Sequence, residues 1–338
     1  MRLTPPASSL LTPEQLAALR ERSDAWGLWL VAHAWLVVAA AWATCAWLPH
    51  PLTYVLAIAV IGSRQLGLLI LMHDGAHGML TQSPRLNRVL TQWFCAYPMF
   101  ADADVYRRYH LKHHARTQQE DDPDIALTGA YPISRASLVR KLLRDLVGIT
   151  GYSQRKYQIA MALGPRDWPL ARRLASFRAQ LGRQLVVQLA LFALLAASGH
   201  WAFYFLLWVL PALTWQQLVL RIRNIAEHAV VPDADDCFRN ARTTLAGPLT
   251  RAFVAVYWVN YHVEHHLLMW VPCYRLPRLR EFLFANGHGA KIETRSGYLD
   301  VLRHVTTPRP DDGRPQPRRD PKARAMGTFG AGFTASQA

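Results

Sequence analysis

Charged residues are missing from two long segments of this sequence. The chain has 338 residues with 38 Lys and Arg and 23 Asp and Glu, yet residues 29–63 and 184–220 contain none of these four types. A helix needs about 20 apolar residues to cross a bilayer, so each segment is long enough for two short spans. A soluble protein with buried helices would normally carry charges on one face of each helix, and their absence argues against that alternative.

Each uncharged segment is interrupted once by residues that favour a turn. Leu48-Pro49-His50-Pro51 divides the first segment, and Ser198-Gly199-His200 divides the second. The sequence therefore predicts an all-α integral membrane protein with four transmembrane helices in two hairpins. The predicted spans are residues 29–47, 54–70, 185–197 and 201–220.

Every lysine and arginine lies outside the two hairpins. Each hairpin returns the chain to the side from which it started, so all basic residues lie on one face, which the positive-inside tendency identifies as cytoplasmic. We expect both termini, and a helical cap, in the cytoplasm. The expected parts are a cytoplasmic N-terminal segment (1–28), a membrane domain with its cap (29–305) and a disordered basic tail (306–338).

Cysteine is scarce, and the four cysteines form no CxxC pair. This excludes a disulfide scaffold and favours reduced, structural thiols. The net charge of +15 fits attraction to anionic lipid heads, and we expect no nucleic-acid partner. Arg64 and Arg221 are the first charges after the two hairpins, and we expect their side chains to reach the interface.

Histidine, in contrast, is concentrated in short groups with HxxxH and HxxHH spacing. Residues i, i+3 and i+4 share one face of a helix, so each group would present its imidazoles toward one point, as a metal site requires. We treat His33, His288 and His304 as ordinary core residues. The candidate metal ligands are His73, His77, His110, His113, His114, His228, His262, His265 and His266.

The number and type of these ligands indicate the metal. Structural zinc takes four ligands and catalytic zinc three, fewer than are present here. Copper would normally recruit Cys or Met, and neither type occurs in the groups. Imidazole ligation of two metals with open positions suits iron and dioxygen. We expect Glu227, Glu264 and the acidic residues of the run 120–124 to orient imidazoles rather than bind metal.

With these histidine groups, the sequence resembles the membrane fatty acid desaturase family. His73-Asp74-Gly75-Ala76-His77 resembles the family's first histidine box, His110-Leu111-Lys112-His113-His114 its second and His262-Val263-Glu264-His265-His266 its third. The resemblance covers about residues 30 to 285. It implies a cytoplasmic centre of two iron ions, O2 as co-substrate, two external electrons per turnover and a lipid acyl substrate. It also implies that His228 binds iron directly and that Asn224 acts through a water.

Two features depart from the family pattern. Leu267-Leu268-Met269-Trp270 separates the third box from Val271-Pro272, where many members have an aromatic residue and a proline almost at once. The chain also lacks the His-Pro-Gly-Gly motif of a fused haem domain. Electrons are therefore expected from a separate carrier, such as a ferredoxin or a cytochrome.

The reaction follows from the chemistry of the substrate. An unactivated methylene C–H bond is not acidic, so no side-chain base can remove its proton and iron and dioxygen must supply the reactivity. Removal of two hydrogens gives an alkene, whereas insertion of oxygen gives an alcohol. The leading expectation is a desaturase that introduces a double bond into a fatty acyl chain of a lipid or acyl thioester. The alternatives are a di-iron hydroxylase or ketolase of lipids, alkanes or carotenoids, and a non-catalytic metal-binding membrane protein.

Overall fold

A computed structural model of the protein describes residues 5–307 and is built almost entirely from helices. Its α-helices, in chain order, are α1 (Ala7–Leu10), α2 (Pro13–Arg20), α3 (Asp24–Trp47), α4 (Pro51–Ala76), α5 (Pro84–Val89), α6 (Ala103–Arg116), α7 (Ile125–Thr128), α8 (Arg135–Leu146), α9 (Ile149–Leu163), α10 (Leu170–Ala197), α11 (Trp201–Tyr204), α12 (Leu210–Leu213), α13 (Trp215–His228), α14 (Pro248–Phe253), α15 (His262–Leu267), α16 (Leu276–Ala285) and α17 (Tyr298–His304).

Short helices of other types and one small sheet complete the described part of the chain. The π-helical segments are Leu90–Ala96 and Phe205–Val209, and the 3-10 segments are Tyr97–Met99, Val256–Trp258, Cys273–Arg275 and Gly289–Lys291. Strands β1 (Thr243–Thr244) and β2 (Thr294–Arg295) pair in parallel, with Thr243 opposite Thr294 and Thr244 opposite Arg295.

Within residues 5–307, four helices are long and apolar enough to cross a membrane, which confirms the all-α membrane fold. They are α3, α4, α10 and the nearly continuous run Trp201–His228, which contains α11 to α13. Both predicted turns occur. Pro51 begins α4, where its missing N–H costs nothing, and Gly199 turns the second hairpin with φ of +79°.

The membrane helices are longer than the uncharged segments from which they were predicted. α3 begins at Asp24 because Ser23 caps it, its Oγ accepting a bond from the Trp26 N–H at 3.2 Å. α10 begins at Leu170, with arginines on its first turns. α4 has 26 residues and is therefore about 39 Å long, which exceeds the roughly 30 Å hydrocarbon core. The excess length is enough for its last turn, with His73, to lie outside the hydrocarbon core.

The second half of α4 is the centre of the molecule. Every residue from 61 to 76 is buried, because α3, α6, α13 and the π-helical segment Leu90–Ala96 pack around it. Glycines allow two close approaches: a side chain at Gly67 would collide with the Tyr257 ring, and one at Gly75 with Thr91. A smaller core joins α13 to α8 and α17.

The expectation that Arg64 and Arg221 reach the interface is wrong. Arg64 is only 7% exposed and donates to the carbonyl of Ala252. Arg221 forms an ion pair with the fully buried Asp145, with Nη2 at 2.9 Å from Oδ1. Both side chains contact groups within the protein, Arg64 the segment around Ala252 and Arg221 the carboxylate on α8.

The expected tail falls almost entirely outside the described residues. Thr306 and Thr307 continue from the end of α17, and their hydroxyls bond back to its carbonyls. Residues 308–338 lie outside the part of the chain that the structure describes.

Candidate metal centre

Four helices bring the predicted ligands together. The end of α4 carries His73 and is followed by His77, and the end of α13 carries His228. α6 carries the second box, and Asp102 caps its N-terminus: the Oδ1 atom of Asp102 accepts bonds from the N–H groups of Asp104 and Val105 at 2.9 and 3.1 Å. α15 consists almost wholly of the third box.

All nine predicted histidines lie in two compact groups. In each group, one ring nitrogen per histidine lies within 4.8 Å of the others. We call them the five-histidine group and the four-histidine group. The first contains His73, His77, His110, His114 and His265, and the second contains His113, His228, His262 and His266.

The groups divide the sequence boxes in an unexpected way. The first box belongs wholly to the five-histidine group and His228 to the four-histidine group, but the second and third boxes contribute to both. This division follows from helix geometry, because positions i and i+4 point in nearly the same direction while i+3 points to one side. His110 and His114 therefore separate from His113, and His262 and His266 from His265.

The distances between ring nitrogens fit shared metal ions. Imidazole nitrogens bind metals at about 2.0–2.1 Å, so two of them at right angles lie about 3 Å apart. In the five-histidine group, the Nε2 atom of His114 lies 2.9 Å from that of His110 and 3.1 Å from that of His265. In the four-histidine group, the corresponding contacts are 3.2 Å for His113 and His228, 2.8 Å for His228 and His262, and 3.1 Å for His262 and His266.

Two of the converging nitrogens make no hydrogen bond within the described residues. The Nε2 atoms of His73 and His77 are buried without a hydrogen-bond partner, which is costly for a polar group. Because each neutral imidazole has a single N–H, a cluster of converging Nε2 atoms satisfies its lone pairs poorly without a cation. The donor set, its spacing and these orphaned atoms fit two neighbouring metal ions.

Electrostatics keep most of these imidazoles neutral, as metal binding requires. Burial and the neighbouring histidines hold the pKa values of five box histidines well below their ordinary value. These five are His110, His114, His262, His265 and His266. Burial and the charge of Arg107 lower the pKa of His77 to about 4. His113 differs: burial lowers its pKa, but Asp124 and Asp122 outweigh burial and the net shift is upward.

Acidic residues contact the imidazoles from outside the two groups. Asp122 Oδ1 lies 2.8 Å from His113 Nδ1, which leaves Nε2 free to face the four-histidine group. Glu227 Oε2 lies 3.5 Å from His262 Nε2. Glu264 instead contacts Thr243 and Arg280, the latter at 2.6 Å. Asp122 thus lies where it can orient an imidazole through its outer nitrogen. Glu227 instead meets the nitrogen of His262 that faces the four-histidine group, so the expectation that it orients an imidazole is not supported, and Glu264 anchors α15 to its surroundings.

Asn224 lies one helical turn before His228 on α13, as its spacing requires. Its Oδ1 accepts a bond from Arg223 Nη1 at 3.3 Å, and Arg223 Nε also bonds Glu227 Oε1 at 2.5 Å. The proposed contact of Asn224 with a metal through a water stays a prediction.

The three histidines treated as ordinary residues lie outside both groups. His33 Nδ1 is 3.0 Å from the Tyr257 hydroxyl, His288 stacks on Phe238, and His304 Nε2 is 3.3 Å from the carbonyl of Val230.

Sequence reasoning missed one residue that supports the centre. Arg242 is fully buried, and its Nη atoms donate to the carbonyls of Ala229 and Val230 at 2.8 Å, just beyond the end of α13. Its Nε also bonds Glu293 Oε1 at 3.1 Å. A single arginine in an ordinary polar stretch gives no signal of this role in the sequence.

The fold and the site together define a membrane protein with two adjacent groups of histidines, each of which could hold a metal ion, at the end of its helical bundle. A model of one family, described as fatty acid desaturase, matches residues 46–296. The chain belongs to the fatty acid desaturase family, whose members are membrane di-iron oxidoreductases.

The relatives that match this chain are named for different reactions. The chain is 27% identical to a dihydrorhizobitoxine desaturase of Bradyrhizobium elkanii over 258 residues, which cover 73% of this chain and 72% of that protein. It is also 27% identical to a beta-carotene ketolase of Paracoccus sp. (strain PC1), with 75% and 88% covered. A second beta-carotene ketolase, from Paracoccus sp. (strain N81106 / MBIC 01143), is 24% identical with 75% and 87% covered.

Proposed function

We propose that this protein is a dioxygen-dependent desaturase that introduces a double bond into the acyl chain of a lipid or acyl thioester. The observation that carries the proposal is the pair of histidine groups at the end of α4 and α13, beside an apolar membrane bundle. Two iron ions held there would, with dioxygen and electrons from a separate carrier, supply the oxidising power to remove hydrogen from an unactivated C–H bond.

The protein's own residues would position the metal ions and the substrate. The five-histidine group would hold one iron and the four-histidine group the other. Asp122 orients His113 through Nδ1, and Glu227 lies beside His262. Asn224 would hold a water near the four-histidine group, which has one ligand fewer. The apolar helices would align the substrate chain, since the choice between alkene and alcohol depends on its position to within about an ångström.

A carotenoid ketolase is the second candidate. Two beta-carotene ketolases match this chain over 88% and 87% of their own length, more than the 72% of the desaturase relative. The same iron chemistry would serve both reactions. The difference lies in the substrate and in whether oxygen enters the product.

The product distinguishes these functions. We expect that expression of the protein in a host supplied with both fatty acids and β-carotene yields lipids with new double bonds, and that His113→Ala yields none. His288→Ala, outside both groups, is the matched control and should keep the activity. New keto or hydroxyl groups would favour the second candidate. Unchanged lipids and carotenoids, with iron bound, would indicate a metal-binding protein without catalysis.

The orientation in the membrane has its own test. We propose that both termini and the histidine groups lie in the cytoplasm, because the basic residues lie outside the two uncharged hairpins. Single cysteines replacing His50 and His200 should be labelled from outside the cell. Those replacing Gln118 and Asp300 should be labelled only after permeabilisation. Labelling of Gln118→Cys from outside would contradict the proposed orientation.

A further inference from the structure

A pocket of about 630 Å³ lies between α3, α4 and the segment that precedes the third histidine box. Its walls are largely apolar and include Trp26, Trp29 and Phe253. Asn260, two residues before His262, also lines it. The pocket therefore reaches the segment that carries the metal ligands. Trp258, in the same segment, also lines the pocket.

Two arginines line this apolar pocket, and neither has an acidic partner. Arg64 is 7% exposed, contacts the carbonyl of Ala252 and lies 5.6 Å from the centre of the Tyr257 ring. Arg251 donates to the carbonyl of Ala246 at 3.1 Å and to the Tyr261 hydroxyl at 3.3 Å. Within residues 5–307, neither guanidinium lies within 4 Å of a carboxylate, whereas Arg221, Arg223 and Arg242 each do.

The position of Arg64 makes the missing partner costly. It lies 13 residues after Pro51, about 20 Å along a membrane-spanning helix, and nine residues before His73. A buried cation in such a helix is expensive unless it is paired, and residues of this kind mark binding sites in membrane proteins. The carbonyl of Ala252 and the hydroxyl and ring of Tyr257 use only some of the five N–H donors of this guanidinium.

We propose that this pocket binds the acidic head group of the substrate, a carboxylate or a phosphate, between Arg64 and Arg251. The guanidinium group matches both anions in shape and charge, and the tryptophan walls accept the first part of an apolar chain. The term substrate rests on the proposed function. An uncharged carotenoid would leave both arginines unpaired, so the pocket favours acidic amphiphiles over neutral hydrocarbons.

Binding can be measured independently of turnover. The full-length, iron-loaded protein in nanodiscs of neutral lipid would be titrated with a brominated long-chain fatty acid, its methyl ester and a lysophosphatidic acid, with tryptophan quenching as the readout. We expect the acids to bind at least tenfold more tightly than the ester. Arg251→Gln and Arg64→Gln should each remove that preference, while Arg64→Lys should retain most of it. The exposed Arg303→Gln is the control. Tighter binding of the fatty acid identifies a carboxylate ligand, and tighter binding of the lysophosphatidic acid a phosphate.

Two results would overturn the proposal. One is equal binding of acid and ester by the unmodified protein. The other is an unchanged preference in Arg251→Gln, with iron content and gel filtration showing that this variant is folded. Product analysis on the same preparations separates this proposal from the proposed function. A preference for acids without any product would refute the enzyme activity alone, and a product without that preference would refute the pocket alone.

Discussion

Asp122 is fixed more firmly than any other acidic residue beside the histidine groups. Its Oδ1 contacts His113 Nδ1 and accepts the Asp124 N–H at 2.9 Å, and its Oδ2 accepts the Gln118 N–H at 2.8 Å. A carboxylate held at three points cannot rotate freely. It therefore fixes both the ring angle and the tautomer of His113, with Nε2 facing the four-histidine group.

We expect Asp122→Ala to reduce metal affinity or turnover by about 10–100-fold, the usual cost of losing such an orienting partner. Iron content and product formation would be measured on the same purified sample. Asp121→Ala is the matched control, because the neighbouring Asp121 is exposed and bonds only the surface Arg116 among the contacts described. Equal losses in both variants would mean that the loop, and not the His113 contact, is responsible.

Asn224 and His228 should behave differently when replaced, if Asn224 acts through a water. We expect Asn224→Ala to retain most of the bound iron and to lose most turnover, since only a coordination position would be disturbed. His228→Ala should lose iron as well, because it belongs to the four-histidine group. Full activity in Asn224→Ala would remove this residue from the site and leave the histidines unaffected.

The convergence of the nine histidines could be predicted from the box spacing, because imidazoles at these positions lie near one face of a helix. Helix geometry also separates His113 from His110 and His114. That His113 joins His228 could not be predicted, because it depends on how α6 and α13 pack. The sequence also offered several acids between residues 120 and 124 without indicating that Asp122 lies at hydrogen-bond distance from His113 and Asp124 farther away, at 3.7 Å.

At the scale of elements, the end of α13 depends on a residue outside it. The last carbonyls of a helix have no partner within the helix and carry partial negative charge. Arg242 supplies both hydrogen bonds and positive charge at this end, directly beyond His228. Its backbone N–H also donates to the carbonyl of Glu227 at 2.8 Å, which ties the following strand β1 to the helix.

Arg242→Met should destabilise the protein by about 3–5 kcal/mol, the range for removing one partner from a buried ion pair. The variant would remove the hydrogen bond to Glu293, which keeps only its longer contact with Arg295 at 3.6 Å, and the donor to the carbonyl of Ala229. We expect a lower thermal unfolding temperature and a loss of iron from the four-histidine group. Arg303→Met, an exposed arginine on α17, is the control and should match the unmodified protein. An unchanged unfolding temperature and iron content in Arg242→Met would show that this end of α13 needs no cap.

The hairpins and turns could be predicted because the length needed to cross a bilayer and the turn residues are both visible in short stretches of sequence. Helix ends could not be, since α10 continues through charged residues for several turns before the uncharged segment begins. The burial of Arg64 was also beyond sequence reasoning. It depends on the segment around Ala252 folding over α4, a contact between residues 188 positions apart.

At the scale of the whole molecule, basic residues lie beside the histidine groups. Arg108 and Lys112 are exposed on α6, next to the second box. Arg107 is different, because its guanidinium donates to the carbonyl of Ala76 and so supports the end of α4. Arg108 and Lys112 are therefore the residues with which to test docking of an acidic electron carrier.

We expect the double variant Arg108→Glu, Lys112→Glu to slow reduction by an acidic ferredoxin at low salt and to approach the unmodified rate at high salt. The screening length falls from about 10 Å at 0.1 M to about 3 Å at 1 M, so a steering effect should fade over this range. Stopped-flow reduction at several salt concentrations would measure it, with Arg303→Glu as the control. A defect that is independent of salt would indicate damage to folding or metal binding.

The distribution of the histidines over the chain also determines when the centre can form. Each group draws ligands from both sides of the second hairpin, and each receives its final ligand, His265 or His266, from the third box. During synthesis, all four spans have therefore emerged before either group is complete. Any metal ion held by a complete group would therefore enter late in biogenesis, and a chain truncated before residue 265 would carry neither complete group.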